Sequence, residues 1–301
     1  MSIIEGVTHP GVISGTARHP ESRVIYVEPG TDALQEAIDS AVDDVGDVIV
    51  LRPGSHTVTE KVEFNKKGLI VIAADVGYAP NARGELFTVR ADAGFTDGPV
   101  AEITRPTAII GLGFWGRESA ETSVLMSFGT GGFNSGGWSY LKKCWFPNHG
   151  GIARALDLVS VDRVLVDGCV FDGSNNGALS ASGKRLTAGI KMTQGHNVYI
   201  RGCEFINAVT AIDLAVIAPQ SDPVHGNTGC VVQANRFLGV ADTHLFLNVE
   251  GVTAVRPQKT LVMDNWLGLA NTKTYGLDGS LDSVANLTTE GLAFAGNHYA
   301  E

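Results

Sequence analysis

The sequence predicts an all-β protein: a single-stranded right-handed parallel β-helix, a solenoid, closed at its start by an N-terminal capping α-helix. Three observations predict it. First, a short stretch recurs. Arg163-Val-Leu-Val-Asp-Gly-Cys-Val-Phe171 returns as Asn197-Val-Tyr-Ile-Arg-Gly-Cys-Glu-Phe205 and, with Asn235 in place of Cys203, as Cys230-Val-Val-Gln-Ala-Asn-Arg-Phe237. Ala108–Trp115, Ser139–Phe146, Leu261–Leu267 and Leu292–Tyr299 extend the series, so Gly113, Cys144, Cys169, Cys203, Asn235, Asn265 and Asn297 mark equivalent positions about thirty residues apart. Second, the unit alternates: Val164, Val166, Cys169 and Phe171 face one way and Leu165, Asp167 and Val170 the other, with Gly168 bending the chain between them. Third, helical periodicity almost vanishes past residue 50, so the crossovers between strands are not helices. Nearly all parallel crossovers are right-handed, which sets the expected hand.

The elements follow in order. Residues 1–23 hold two His-Pro pairs and no lasting periodicity, yet Ile3, Ile4, Val7, Val12 and Ile13 are too apolar for a solvated tail. We read 1–23 as an N-terminal arm that packs on its own body or on a neighbour, an assembly contact. Residues 24–301 then form one β-helix. Val24–Val27 is a strand, and a capping helix at about 32–45 follows, with Thr31 or Asp32 as its cap. Ala33, Leu34, Ala37, Ile38, Ala41 and Val42 recur at helical spacing and form one apolar face. Such a helix covers the exposed interior of the first coil, as solenoid ends require. Gly46–Gly54 is the first coil strand, and Gly68–Ile72 and Phe87–Arg90 add to the coils that follow.

The capping helix Thr31-Asp-Ala-Leu-Gln-Glu-Ala-Ile-Asp-Ser-Ala41, the strand Gly46-Asp-Val-Ile-Val-Leu-Arg-Pro-Gly54 and coils reading Asn197–Leu214 resemble pectin-lyase-like right-handed β-helix proteins. The resemblance covers residues 24–300 as architecture. It implies a fold shared by polysaccharide lyases, glycoside hydrolases, bacteriophage tailspikes and other virion components, and leaves function open.

From residue 101 the repeats settle. A short strand precedes each unit at Ala155–Leu158, Gly189–Met192, Ala211–Leu214 and His244–Leu247, and insertions fall at 129–137, 172–187, 217–229 and 268–289. Eight or nine coils at about 4.8 Å give a rod on the order of 40 Å long.

Composition narrows the partners. A net charge of −10 argues against nucleic acid, which requires clustered Lys and Arg. No apolar run reaches the roughly 20 residues of a membrane span. The start lacks the basic and apolar regions of a signal peptide, so we expect a protein made in a cytosol and not exported by the general route. Four cysteines without a CxxC pair suggest neither a disulfide framework nor a metal site; three of them share one register and read as packed thiols.

The search for chemistry starts from stacked positions, which are neighbours in space. The outward position of the short strand reads Asp157, Lys191, Asp213, Phe246, and that of the longer strand Asp167, Arg201, Gln233, Met263. Alternating sign reads as solvated ion pairs rather than as an acid pair or a calcium cluster. Gly195-His-Asn197 is similar to the Gly-His of polygalacturonases and Thr104-Arg-Pro-Thr107 to an Arg/Pro motif of pectate lyases, both without their partner motifs. Asp213, Asp222, Asp242 and His244 make the best of the weak enzymatic groupings, and turn-forming Asp with a packed His explains them better. Phe114/Trp115, Trp138/Tyr140 and Trp145/Phe146 cluster in successive coils, which suits a sugar platform, a core or a subunit interface.

We therefore assign no catalytic, cofactor or metal residue and lean towards a non-enzymatic role, with the enzyme question left open. The expected function is that of a virion structural protein, a bacteriophage capsid decoration or spike-type component assembled in the bacterial host cytoplasm. Its expected partners are other virion proteins, reached through the arm and lateral loops, and further copies of itself, with a trimer among the options. The alternatives are a polysaccharide-degrading β-helix enzyme, such as a depolymerase tailspike, and a carbohydrate-binding adhesin that holds a surface glycan.

Overall fold

Each coil consists of three short strands and three corners, and every strand lies parallel to its equivalent one coil away. The computed structural model describes residues 21–75, 86–96, 98–116, 124–128, 136–147, 154–173, 186, 188–193, 195–215, 229–239, 243–248, 260–268, 273–277 and 292–299. Among these, sheet A has ten strands, from Val24–Val27 to Leu292–Ala295, sheet B nine, from Gly54–Val58 to His298–Tyr299, and sheet C eight, from Val62–Phe64 to Lys273–Leu277. The chain visits A, B and C in turn and forms a right-handed parallel β-helix.

Alternation places the core. Inside sheet B, Phe114, Phe146, Phe171, Phe205 and Phe237 stack with ring centroids 5.7, 5.0, 4.9 and 5.2 Å apart. Burying each contributes about 2–3 kcal/mol, and each ring pair about 1 kcal/mol more. Inside sheet A, Ile49, Val71, Ile109, Leu141, Val166 and Ile200 run one above another, all buried.

From Gly111 onward the A–B corner is a two-residue turn. Its first residue has positive φ, as at Gly168 and Gly202 (both 61°), and its second points inward. The inward column reads Leu112, Cys144, Cys169, Cys203, Asn235, Asn265, Asn297, since Trp145 N donates to Leu112 O just as Val170 N does to Cys144 O. This corrects the register by one residue at its start: Gly113 pairs with Trp145 on the strand, and Leu112 takes the marker position. Two glycines two apart, Gly111 and Gly113, hid which one made the turn.

The column is bound by hydrogen bonds. Asn235, Asn265 and Asn297 donate Nδ2 to Ile200 O, Val232 O and Val262 O, each at 3.0 Å. Their Oδ1 atoms accept from the backbone N of Cys203, Asn235 and Asn265 at 2.9–3.0 Å. The thiols serve the same carbonyl row, with Cys144, Cys169 and Cys203 Sγ facing Ile109, Leu141 and Val166 O at 3.6, 3.8 and 3.7 Å. The fourth thiol, Cys230, lies outside this column, just before a sheet A strand, and is also buried.

The capping helix, α1 (Ala33–Ser40), is shorter than the sequence suggests. Leu34, Ala37 and Ile38 cover the first coil, but Ala41 is extended and Val42 is 48 % exposed. The cause is Asp47, a fully buried carboxylate that accepts from Val42 N at 3.0 Å and from Arg23 N at 2.8 Å and so draws the chain out of the helix. Asp32 does not cap its own helix: at φ 56° its carboxylate accepts from Thr59 N (2.8 Å) and Thr59 Oγ1 (2.6 Å), which ties the helix entrance to the first coil. Of the arm, residues 1–20 lie outside the described residues. Ser22 and Arg23 are fixed, through Gly46 O and the Asp47 carboxylate.

Candidate functional site

From residue 92 onward the longer connections all leave the two corners that flank sheet C, while the A–B corner stays short. The expected insertions at 129–137, 172–187 and 217–229 fall at these corners. The segment 268–289 is not a single insertion, because it contains the sheet C strand Lys273–Leu277. The outer face of sheet C is therefore the face bordered by variable chain on both sides, the usual setting for binding and catalysis.

Its central outward row reads Glu63, Glu102, Ser127, Asp157, Lys191, Asp213 from coil to coil. The stacking of Asp157, Lys191 and Asp213 agrees with the sequence reading; their solvation does not. Glu102 and Ser127 are buried, and the Asp157 side chain is only 14 % exposed. Lys61 Nζ bridges Glu102 at 2.5 Å and Glu63 at 3.4 Å. Arg154 Nε lies 2.9 Å from Asp157 Oδ1, with its N–H poorly aimed for a hydrogen bond. Ser127 Oγ and Asp213 Oδ1 are buried with no hydrogen-bond partner among the described residues. Burial pushes the Asp157 carboxyl up from its ordinary pKa against the pull of Arg154 and Lys191. Burial raises Asp213 as well, opposed by Lys191 and Arg154 and reinforced by Asp157. Two largely buried carboxyls with raised pKa values thus flank Lys191.

The other faces are quieter. On sheet A, Asp167 accepts from Arg201 Nε at 3.2 Å and from Tyr140 OH at 3.0 Å; burial and the Asp167 charge hold the Tyr140 phenol far above its ordinary pKa. On sheet B, Arg236 donates to Glu204 at 2.7 Å.

Of the four-residue grouping, only two members fall within the described residues. Asp213 stands on the sheet C row, His244 is the second residue of the strand Thr243–Asn248, and Asp222 and Asp242 lie outside the described residues. Sequence reasoning missed Glu102 and Ser127; aligning Ala101–Ile103 and Met126–Phe128 with Leu156–Leu158 would have found them. Gly195-His-Asn197 is a corner turn: Asn197 Nδ2 donates to Asp162 Oδ1 at 2.9 Å, and a Cβ on Gly195 would run into Met192. Thr104–Thr107 is another, closed by Thr107 Oγ1 donating to Arg105 O at 3.0 Å.

The aromatic platform divides. Phe114 and Phe146 belong to the core, and Trp145 is buried edge-on against Trp115. Trp138 is exposed, and the Arg163 guanidinium sits over one face of its ring, 4.1 Å from the centre. Trp266, which the sequence did not single out, is exposed beside Arg236. Among the described residues no three His, Cys, Asp or Glu side chains are placed to hold a metal ion, and no helix is long and apolar enough to cross a membrane.

No protein-family model matches the sequence, and neither does any curated protein. Solved structures do match. The pectin methylesterase of Aspergillus niger aligns with a TM-score of 0.55 at 13 % identity over 93 % of this chain and 88 % of that one. The alginate lyase of Paenibacillus sp. str. FPU-7 gives 0.50 at 14 % over 92 % and 95 %. ORF18 of Geobacillus virus E2 gives 0.45 at 12 % over 91 % of this chain, which spans 60 % of the viral protein's length. The likenesses to the methylesterase and the lyase establish the shared parallel β-helix fold.

Proposed function

We propose that the chain is a non-enzymatic structural component of a virion, a short rigid rod that decorates or stabilises a bacteriophage particle. The observation that carries this reading is charge neutralisation on the sheet faces: Glu102, Asp157, Asp167 and Glu204 each have a cation within 3.2 Å, supplied by Lys61, Arg154, Arg201 and Arg236. A surface built this way supports rigidity and stacking more than turnover. The virion setting rests on the resemblance of the capped repeat to virion β-helix proteins. In this reading the arm and the lateral loops reach the particle, and assembly takes place in the host cytoplasm. Removing residues 1–20 leaves the rod folded by circular dichroism and abolishes co-sedimentation with particles; undiminished co-sedimentation would overturn the reading.

A second reading has one specific observation in its favour: Asp157 and Asp213, two coils and so about 9–10 Å apart, both have raised pKa values, and one oxygen of Asp213 has no partner among the described residues. Inverting glycosidases place their carboxyls at up to about 9.5 Å. This reading requires cleavage of an acidic or capsular polysaccharide that is lost in both Asp157→Asn and Asp213→Asn. A glycan panel that yields no product removes it.

A further inference from the structure

Sheet A differs from its two companions in what it shows to the outside. Along its first strands Val48, Ile72 and Ile110 form a second apolar cluster outside the core, with Val24, Val50 and Ile70 packed against it. Farther along, Leu165, Tyr199, Val231 and Leu261 stack in register on successive coils, and Met263 lies beside Leu261. Tyr199 is 46 % exposed and Leu261 43 %. The neighbouring outward column supplies the charges of this face, Lys142, Asp167 and Arg201, and Asp167 is already matched by Arg201 and Tyr140. A stripe of this kind spans four coils, roughly 15 Å from first to last strand.

Charge narrows what can cover it. The chain carries −10 overall, yet this face is close to neutral. A strongly basic partner is drawn to the acidic parts of the molecule, and an acidic partner gains nothing here. Shape narrows it further, because a flat apolar sheet face is best matched by another flat sheet packed about 10 Å away. A second copy supplies both properties at once, and on its neutral face the repulsion between two acidic molecules is least.

We propose that the outer face of sheet A around Tyr199 and Leu261 is the contact between copies of this chain, which pack sheet A against sheet A. The proposal holds whether the rod is scaffold or enzyme. It goes beyond the proposed function by naming the surface.

Sedimentation velocity on the full chain over a range of concentrations tests it. The wild-type chain associates with itself, and Tyr199→Lys and Leu261→Lys each raise the dissociation constant at least tenfold. Both positions are exposed, so their melting temperatures stay near that of the wild type; Tyr199→Ser, without a new charge, weakens association in the same direction. Arg90→Glu on the outer face of sheet B leaves association unchanged. The proposal is overturned by a wild-type chain that stays monomeric at every concentration. Association that ignores both lysine substitutions, or that Arg90→Glu disrupts equally, overturns it too.

Discussion

Single residues in this molecule respond to pH in opposite directions. Burial raises the Asp213 pKa, so between the ordinary aspartate value and the raised one the folded chain holds a proton that the unfolded chain has released. Stability on this account falls as pH rises through that window. Asp213→Asn should therefore stabilise the fold by about 1 kcal/mol at pH 7, a gain that shrinks towards pH 4; thermal melts at both pH values would show it, and an equal effect at both would refute it. Asp47 behaves the other way. Burial pushes it up, but hydrogen bonds from Arg23 and from the backbone N of Val42 outweigh that and hold it below its ordinary value. Its contribution is present above the unfolded pKa and is lost as pH falls through the folded one. Asp47→Ala should cost about 2–3 kcal/mol at neutral pH and much less in acid. Neither behaviour was legible in the sequence. Asp213 read as a solvated partner of Lys191 because alternation tells which way a side chain points, not what lies over it. Asp47 read as an ordinary residue leading into a strand.

At the scale of elements, the inward column of the A–B corner shows how the sequence reached the fold. Cys169, Cys203 and Asn235 were recognisable as one register because each follows a turn residue and precedes the strand that carries the stacked phenylalanine. The register slipped only where Gly111 and Gly113 offered two turns. The helix end was not legible either: Ala41 and Val42 suit a helix by spacing, and a carboxylate several residues away overrides them. Thiol and carboxamide act on the same row of carbonyls, so they should exchange. Cys203→Asn extends the carboxamide ladder and should change stability by less than about 1 kcal/mol. Asn265→Leu leaves the backbone N of Asn235 without its acceptor and should cost roughly 2–4 kcal/mol. Chemical denaturation of the two variants settles the comparison, and an Asn265→Leu variant as stable as the wild type would show that the ladder contributes nothing.

For the whole molecule the important property is that each coil touches only its neighbours, so stability spreads along the axis instead of gathering in one centre. Hydrogen exchange should then be slowest in the middle coils, around the stack Phe146, Phe171 and Phe205, and fastest at the last strands of each sheet. Uniform protection from end to end would contradict this. The architecture was the most legible level of all, because a repeat copies its hydrophobic pattern many times and one faulty unit does not hide the rest. The use of the faces was the least legible, because it depends on what borders sheet C and covers sheet A.

The A–B corner never lengthens after the third coil, and Val198 and Cys230 hold equivalent places just before their sheet A strands, Val231 N donating to Val198 O. Storeys of this building are therefore interchangeable. Excising residues 198–229 would join Asn197 to Cys230, seat Phe237 on Phe171 and yield a rod shorter by one floor, about 4.8 Å, with the same circular dichroism. Height, in such a molecule, is a quantity that can be dialled without redesigning any level.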